Sequence, residues 1–308
     1  MGSFMDVGCI DDRFSTTRRL TRTPKEPDPC FQLPTTHAPN HVGGLRTRGL
    51  YKSEGSEPIV TVITIAYNCA TSIEETMLSV MNQTYSNIEY IVIDGGSTDG
   101  TVDVIRKYDH AIDYWVSEPD RGVYDAINKG IRVSTGQWLN CMNVKDVFFS
   151  NDTVQTVADK YLHGDARFIY SDVLLRNGPL ANHVGKYVCD HKKYIFNHQG
   201  VVYQKSLHRE YGPYIVAKGM TISDIVFFSQ IDQESFLKAD EPIAIYDTTG
   251  ISNSKTSMGQ KVVVDYLMRE MPAYRLLTQF LLLYLPNGFE RTLVGLVRMF
   301  KKPDRRWE

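Results

Sequence analysis

The sequence has few cysteines, and their spacing excludes the usual cysteine-based sites. Five occur among 308 residues, and no two of them form a Cys-x-x-Cys pair; they are Cys9, Cys30, Cys69, Cys141 and Cys189. An odd, scattered set of thiols predicts neither a disulfide framework nor a cysteine-based zinc site, and it favours a reducing cytosol. The first residues also lack a basic segment followed by an apolar core, so we expect no secretory signal.

The sequence also lacks an excess of charge of either sign. The formal net charge is -2, which provides no overall attraction to nucleic acid, so we expect no nucleic-acid partner. Hydrophobic residues make up 42% of the chain and charged residues 23%. Because these proportions are close to those of soluble globular proteins, the composition predicts a globular fold.

No apolar run reaches the length needed to cross a bilayer. The most apolar stretch, "YRLLTQFLLLYLPNGFERTLVGLVRMFKKPDRR", is interrupted by Pro286 before it reaches ~20 residues. It joins apolar residues to Arg and Lys, a combination typical of interfacial segments. We therefore predict that residues 256–308 form a helical tail that associates with a membrane surface.

Two further regions precede the tail. Residues 1–57 contain closely spaced prolines, as in "TRTPKEPDPC" and "LPTTHAPNH", and they lack apolar periodicity, which predicts a flexible extension without regular structure. From residue 58 to residue 255, strand-like runs such as "PIVTVITIAYN", "IEYIVI" and "RFIYSDVLL" alternate with helical patterns such as "SIEETMLSVMNQ" and "GVYDAINKGIRVS". This alternation predicts an α/β domain with a mostly parallel central sheet flanked by helices.

The turn in "YIVIDGGSTDGTVDVI" follows the second of these strands. In open α/β sheets ligands bind at the carboxyl ends of the strands, where Asp94 would lie. A carboxylate there can accept hydrogen bonds from a base or a ribose, and the two glycines allow close approach to the backbone. The spacing matches neither the dinucleotide fingerprint nor the P-loop. The turn therefore predicts either a nucleotide contact or a simple helix start capped by Thr98 or Asp99.

Several motifs, read in order, favour the first interpretation. They are "AYN" (66–68), "DGGSTDGT" (94–101), "SEPDRGVYDAINKGI" (117–131), "NVKD" (143–146) and "NHQ" (197–199). Together they resemble family 2 glycosyltransferases of the GT-A fold, a Rossmann-like fold of nucleotide-sugar transferases. The subgroup that they resemble builds bacterial O-antigen, capsule or exopolysaccharide by inverting transfer from nucleotide sugars.

The resemblance implies a role for each motif. A donor site would be lined by Ala66, Tyr67, Asn68, Asp94, Gly95, Ser97, Asp120, Arg121 and Lys145. A divalent metal, Mn²⁺ or Mg²⁺, would bind at Asp146 and offset the repulsion between carboxylates and a diphosphate. Lys145 departs from the family pattern, in which another acid or an Asn-Ser-Gly-Asp run is common, and Gly95 replaces a second acid.

The acceptor side is implied by the later motifs. "NHQGVVYQKSL" corresponds to the segment that lines the acceptor, which selects His198 and Gln199. "GMTISDIVFFSQI" corresponds to the helix that carries the general base, which selects Asp224. Inverting transfer needs such a carboxylate to take the proton of the attacking hydroxyl.

The resemblance therefore predicts an inverting glycosyltransferase whose partners are a nucleotide-sugar donor and a glycan or lipid-linked glycan acceptor. We expect it to be cytoplasmic, in peripheral contact with the cytoplasmic face of the inner membrane. Two alternatives stay open from the residues. The departures at Gly95 and Lys145 would suit a catalytically inactive nucleotide-sugar-binding or scaffold protein. Strand-end acids with a metal would also suit a nucleotidyltransferase.

Overall fold

The computed structural model of the chain describes residues 6–24, 41–53, 55–176, 183–191, 196–249, 259–260 and 263. The chain divides into two units, one of residues 1–218 with 223–249 and one of residues 219–222 with 250–308. Within the second unit, the main-chain N–H and the hydroxyl of Thr221 donate to Gln260 Oε1 at 2.9 and 3.0 Å. No helix in the described ranges is long and apolar enough to cross a membrane.

Short strands and helices alternate along the first unit. The described strands are β1 Asp6–Gly8, β2 Leu20–Thr21, β3 His41–Gly43, β4 Tyr51–Lys52, β5 Val60–Ala66, β6 Ile88–Asp94, β7 Tyr114–Ser117, β8 Trp138–Cys141, β9 Val147–Phe148, β10 Phe168–Tyr170, β11 Val173–Arg176, β12 His183–Tyr187, β13 Val201–Gln204, β14 Phe236–Lys238 and β15 Ala244–Asp247. The described α-helices are α1 Ile73–Met81, α2 Thr101–Lys107, α3 Val123–Val133, α4 Thr153–Tyr161, α5 Leu207–Tyr211 and α6 Ser223–Phe228.

The central sheet has the strand order β14-β10-β13-β8-β5-β6-β7-β3. Its middle strands β8, β5, β6 and β7 are parallel neighbours, whereas β13 joins β8 and β3 joins β7 in antiparallel pairs. Helices follow β5, β6 and β7 along the chain. The predicted α/β fold with a helix-flanked central sheet is therefore confirmed. Because the middle strands are parallel, their carboxyl ends lie along one edge of the sheet.

The β-branched composition of β5 explains its place in the middle of the sheet. Val60 and Val62 point into one apolar cluster, which Met77 and Val80 of α1 also enter. Ile63 points to the opposite face and contacts α3, where a Cβ at Gly130 would lie only 2.5 Å from Ile63 Cγ2. The strand is thus covered on both faces, as its near-continuous apolar run predicts.

A second sheet forms where the predicted strand "RFIYSDVLL" divides. The residues between β10 and β11 leave the central sheet: Ser171 Oγ accepts a hydrogen bond from Ile243 N at 2.8 Å, and Asp172 Oδ1 accepts one from Cys189 N at 2.8 Å. β11 then joins the sheet of order β12-β11-β15-β9. Strand β15 of this sheet ends at Asp247, beside the loop that precedes β9.

The prediction that no regular structure precedes residue 57 is wrong for residues 6–24 and 41–53. Strand β3 extends the central sheet by pairing with β7, and the side chain of Lys52 is buried. Its ammonium donates to the main-chain oxygens of Thr16 at 2.6 Å and Arg18 at 2.9 Å. These strands are only two or three residues long, and polar groups make many of their contacts, so apolar periodicity could not indicate them.

Candidate active site

The carboxyl ends of three adjacent strands meet at one edge of the central sheet. β5, β6 and β7 end at Ala66, Asp94 and Ser117, which are paired in register. Asp94 is fully buried, and its carboxylate accepts hydrogen bonds from the N–H groups of Gly96 and Ser97 at 3.1 and 2.9 Å and from the Ser117 hydroxyl at 2.6 Å. Asp94 therefore holds the turn that follows β6 against the end of β7.

The loop that follows β5 is tied to the same turn. Asn68 adopts a left-handed backbone conformation with φ of 47°. Its N–H donates to Ser97 Oγ at 2.7 Å, and its side-chain oxygen accepts from Thr98 N at 2.9 Å. The structure thus brings the two predicted donor segments, residues 66–68 and 94–97, into one rigid edge.

Gly95 lies between an aromatic ring and a carboxylate. A Cβ at this position would overlap Asp120 Oδ2 and would lie 3.3 Å from the Tyr67 ring, so only glycine leaves room for both. The Tyr67 side chain is 66% exposed. Burial raises the pKa of the Asp120 carboxyl, and the nearby charges of Asp125 and Asp94 add to this. The arrangement is an open aromatic face beside an acid, at the end of the strands.

Arg121 reaches this region from the start of α3. Its guanidinium pairs with Asp125 Oδ1 at 2.8 Å, while 71% of the Arg121 side chain stays exposed. The Arg121 N–H donates to the other oxygen of Asp125 at 3.0 Å. Asp125 is therefore part of the helix start, and the outer face of Arg121 is open to solvent.

Asp146 lies in the loop that follows β8, and it is 3% exposed. Its Oδ1 accepts a hydrogen bond from Asp247 N at 2.7 Å, and its Oδ2 accepts one from Gln199 Nε2. Burial raises the pKa of the Asp146 carboxyl to about 7, and the negative charge of Asp247 contributes to the rise. An ionised carboxylate at this depth is costly unless a positive charge approaches it.

Three residues that lie near Asp146 in the fold or in the loop carry buried oxygens without hydrogen-bond partners among the described residues. In the part of the chain that the structure describes, Asn143 Oδ1, Gln199 Oε1 and Asp247 Oδ2 are buried and accept no hydrogen bond. Unpartnered buried acceptors are rare in folded proteins, and a water molecule or an ion commonly satisfies them. The described residues contain no group of three His, Cys, Asp or Glu side chains placed to hold a metal ion.

Lys145 has a left-handed backbone with φ of 78°, an uncommon conformation for a residue with a side chain. Its N–H donates to Thr76 Oγ1 at 3.0 Å, and its carbonyl accepts from the buried guanidinium of Arg176. Arg176 in turn pairs with Glu75 at 2.7 Å. Helix α1 and strand β11 therefore hold this conformation, and the Lys145 ammonium lies 3.2 Å from Thr249 Oγ1.

Asp224 lies in the first turn of α6, with 15% of its side chain exposed. The Tyr124 hydroxyl donates to Oδ1 at 2.6 Å, and His198 Nδ1 lies 3.0 Å from Oδ2. Burial alone would raise the pKa of the Asp224 carboxyl, but the hydrogen bonds from His198 and Tyr124 outweigh burial and lower it. Asp224 is therefore held as an anion.

One short 3₁₀ turn, His198–Gly200, links the two acids. His198 contacts Asp224, and the next residue, Gln199, donates to Asp146. Asn140 of β8 donates to the main-chain oxygens of Gln199 and Val201 at 3.0 and 2.8 Å, which anchors the turn to the sheet. The structure thus brings Asp146, His198, Gln199 and Asp224 into one site.

Comparisons with known proteins place this chain in a family. The model of glycosyl transferase family 2 matches residues 61–208. An uncharacterized glycosyltransferase of Mycobacterium tuberculosis is 32% identical over 220 residues, which cover 65% of this chain and 79% of the relative. The chain belongs to glycosyl transferase family 2. A PGL/p-HBAD biosynthesis glycosyltransferase of Mycobacterium bovis is 29% identical over 164 residues, covering 51% of this chain and 63% of the relative.

Solved structures show that this family 2 chain has the GT-A fold. Staphylococcus aureus TarS in complex with UDP-GlcNAc has a TM-score of 0.54 and 15% identity, with 75% of each chain covered. The mannosyltransferase PcManGT of Pyrobaculum calidifontis, in complex with GDP-Man and Mn²⁺, has a TM-score of 0.53 and 17% identity, with 89% of this chain and 81% of that chain covered.

The family 2 match contains the strand ends, the Asp146 loop and the 198–200 turn, but it ends before Asp224 and Asp247. Tyr124 and Asp247 contact predicted site residues and were not predicted to belong to the site. Tyr124 lies within a helical pattern, so the sequence alone suggests an aromatic residue of the hydrophobic core. Asp247 follows the strand-like "IAIY", and its position at a strand end is the signal that could have found it.

Proposed function

We propose that this family 2 enzyme is an inverting, metal-dependent glycosyltransferase of the bacterial polysaccharide type. It would move a sugar from a nucleotide-sugar donor to a hydroxyl of a glycan or lipid-linked glycan. The observation that carries the proposal is the pair of buried acids, Asp146 and Asp224, held through neighbouring residues of one 3₁₀ turn. One acid serves the donor diphosphate and the other serves the acceptor hydroxyl.

The nucleotide would lie on the edge formed by the ends of β5 and β6. Tyr67 offers an exposed ring on which a base can stack, and Gly95 leaves the backbone accessible beside it. The carboxylate of Asp120 and the main chain of the Asp94 turn supply polar contacts for base or ribose. Arg121, exposed at the start of α3, would contact the diphosphate. The complexes of TarS with UDP-GlcNAc and PcManGT with GDP-Man support a nucleotide-sugar donor.

The residues around Asp146 fit a divalent cation. Carboxylate and amide oxygens are the ligands that hard cations prefer. Asp146 would hold the cation, with Asp247 Oδ2 and Gln199 Oε1 as neighbouring acceptors that lack a partner among the described residues. A bound cation supplies positive charge against the diphosphate as the leaving group departs. Lys145 adds a second positive charge at the same loop.

Asp224 would act as the general base. The acceptor hydroxyl oxygen forms a bond to the anomeric carbon while the bond from that carbon to the diphosphate breaks, and the hydroxyl proton passes to Asp224. Attack from the face opposite the diphosphate inverts the anomeric configuration. Tyr124 and His198 hold the carboxylate as an anion, which is the form that can accept the proton.

The function is tested by a screen of nucleotide sugars with Mn²⁺ or Mg²⁺. We expect one donor to raise the melting temperature and to be hydrolysed slowly to a nucleoside diphosphate or monophosphate. With an acceptor, the anomeric proton coupling in the product should show the inverted configuration. Release of pyrophosphate would instead show a nucleotidyltransferase, and binding without turnover of any donor would show an inactive binding protein.

Asp94→Ala is expected to weaken binding of the free nucleoside diphosphate. The substitution removes the acceptor of the hydrogen bonds that hold the turn after β6, so the backbone beside Tyr67 loses its fixed conformation. Calorimetry with the nucleoside diphosphate measures the effect. Asp103→Ala, at an exposed acid of α2, is the matched control. Unchanged affinity in a folded Asp94→Ala protein would remove this turn from the nucleotide site.

The C-terminal tail is expected to attach the enzyme to membranes that contain anionic lipid. Residues 271–308 lie outside the described residues, and the prediction rests on their apolar positions and on "RMFKKPDRR". The full-length protein should float with anionic liposomes in a density gradient and should float less at high salt, because salt screens the charge attraction. A full-length protein that stays at the bottom of the gradient at low salt contradicts the prediction.

A further inference from the structure

Side chains from four parts of the fold form one chain of hydrogen bonds around Asp224. Asn143 Nδ2 lies 2.8 Å from His198 Nε2, and His198 Nδ1 lies 3.0 Å from Asp224 Oδ2. On the other side, the Tyr124 hydroxyl lies 2.6 Å from Asp224 Oδ1. Each oxygen of the carboxylate therefore has a side-chain partner before any substrate binds.

The amide of Asn143, at one end of these hydrogen bonds, fixes which atoms donate and which accept. With the Asn143 amide placed so that Nδ2 faces the ring, its NH₂ group donates and His198 Nε2 accepts. A neutral imidazole that accepts at Nε2 carries its proton on Nδ1, and that proton points to Asp224. Asn143 thereby selects the tautomer of His198 that donates to the carboxylate.

Packing fixes the Tyr124 end of the chain. Asn128, one turn along α3, makes two hydrogen bonds to the main chain of Tyr214, at 2.8 and 3.0 Å. The rings of Tyr124 and Tyr214 lie 5.6 Å apart, and Gly130 sets α3 directly on Ile63 of the central sheet. Helix α3 therefore holds the Tyr124 hydroxyl in place, because it packs against the central sheet and is hydrogen-bonded to the segment that precedes α6.

We propose that Tyr124, His198 and Asn143 are positioning residues that hold the Asp224 carboxylate ionised and in one orientation. The proposal rests on the proposed role of Asp224 as general base. A hydrogen bond donated to the carboxylate stabilises the anion relative to the neutral acid, so loss of either bond should raise the pKa of the Asp224 carboxyl by about one unit or more. The titratable groups that face Asp224 from the surrounding elements are Tyr124, His198, Cys141, Tyr203 and Tyr214.

The first test is the pH profile of kcat for Tyr124→Phe. We expect the unmodified enzyme to lose activity at low pH as the proposed base becomes protonated. Loss of the Tyr124 hydrogen bond raises the pKa of the Asp224 carboxyl, so the acidic limb should move to higher pH by about one unit, with little change in donor affinity. Tyr203→Phe is the matched control, because it removes a buried hydroxyl that bonds to His208 and Tyr214 instead of Asp224. An unmoved limb in Tyr124→Phe overturns the proposal.

The second test compares two substitutions of His198. The amide nitrogen of Asn can replace Nδ1, whereas that of Gln replaces Nε2. His198→Asn should therefore keep the donor to Asp224 and most of the turnover, and His198→Gln should lose roughly tenfold or more in kcat. Equal losses in the two variants would mean that donation from Nδ1 does not matter.

A third measurement needs no substrate and no substitution. In the ¹⁵N-labelled full-length protein, the His198 ring nitrogens should show the neutral tautomer protonated at Nδ1. A proton on Nε2, or on both nitrogens, would overturn the assigned direction of these hydrogen bonds.

Asp224→Asn distinguishes failure of the proposed general base from failure of the positioning proposal. If it retains full turnover, the proposed base is wrong; if it is inactive while the Tyr124→Phe profile is unmoved, only the positioning proposal fails.

Discussion

Asp224→Asn is expected to lower turnover by roughly 10²-fold or more while donor affinity changes little. Asparagine keeps the shape of the side chain, and its Oδ1 can still accept from Tyr124. It cannot take the proton of the acceptor hydroxyl. Because the donor diphosphate is assigned to the Asp146 side of the site, ground-state donor binding should survive. Steady-state kinetics with donor calorimetry on the same preparation measures both quantities.

The controls separate this chemical role from a structural role. Asp232→Asn, at an exposed acid a short distance along the same segment, should keep near-normal turnover. If Asp224 only starts helix α6, Asp224→Asn should be nearly silent, and Asp224→Ala should cost about 1 kcal/mol of stability. Melting temperatures of the three variants test that alternative. Near-normal transfer by Asp224→Asn would move the search for the base to Asp232 and Glu234.

Asp146→Ala is expected to remove most of the metal dependence of donor binding. In the unmodified enzyme, Mn²⁺ or Mg²⁺ should tighten donor binding, because a carboxylate and a diphosphate repel each other without an intervening cation. Loss of the buried carboxylate should weaken donor binding in the presence of metal by roughly 10-fold to 100-fold or more, since removal of a residue that only supports a metal ligand already costs that much in metal affinity. Calorimetry with and without EDTA measures the difference.

Asp165→Ala, at an exposed acid that lies in a surface loop, is the control for this experiment. It should bind donor as tightly as the unmodified protein and should respond equally to EDTA. Equal donor affinity in EDTA and in metal, for the unmodified protein and for Asp146→Ala alike, would contradict the metal site. In that case Lys145, whose ammonium belongs to the same loop, and Arg121 are the positive charges left for the diphosphate.

Much of the fold could be predicted because apolar patterns repeat along the chain. The β-branched runs of β5 and β6 and the i, i+4, i+7 pattern of Ile73, Met77 and Val80 indicate buried strands and a helix directly. The division of "RFIYSDVLL" into β10 and β11 could not be predicted in this way. Its cause is Ser171 and Asp172, whose side chains bond to residues 72 and 17 positions away.

The N-terminal strands show the same limit. The buried residues of this region include Lys52 of β4 and Thr16 of the turn that precedes β2, and the Lys52 ammonium is satisfied by main-chain oxygens. A buried lysine can be recognised only when the acceptors around it are known, and these come from a segment 36 positions away. Prolines and polar residues therefore suggested an extension where part of the chain is folded.

The sequence by itself determined the α/β alternation, the strand-end motifs and, through their order, the family. These features are local, because a strand end, a helix start or a short motif is written in adjacent residues. Only the tertiary structure decided how Asp146, His198 and Asp224 meet, and which residues support them. Hydrogen bonds between Tyr124 and Asp224, or Asp146 and Asp247, join positions about 100 residues apart. Which residues form these hydrogen bonds depends on how whole helices and strands pack, and no short sequence pattern shows that packing.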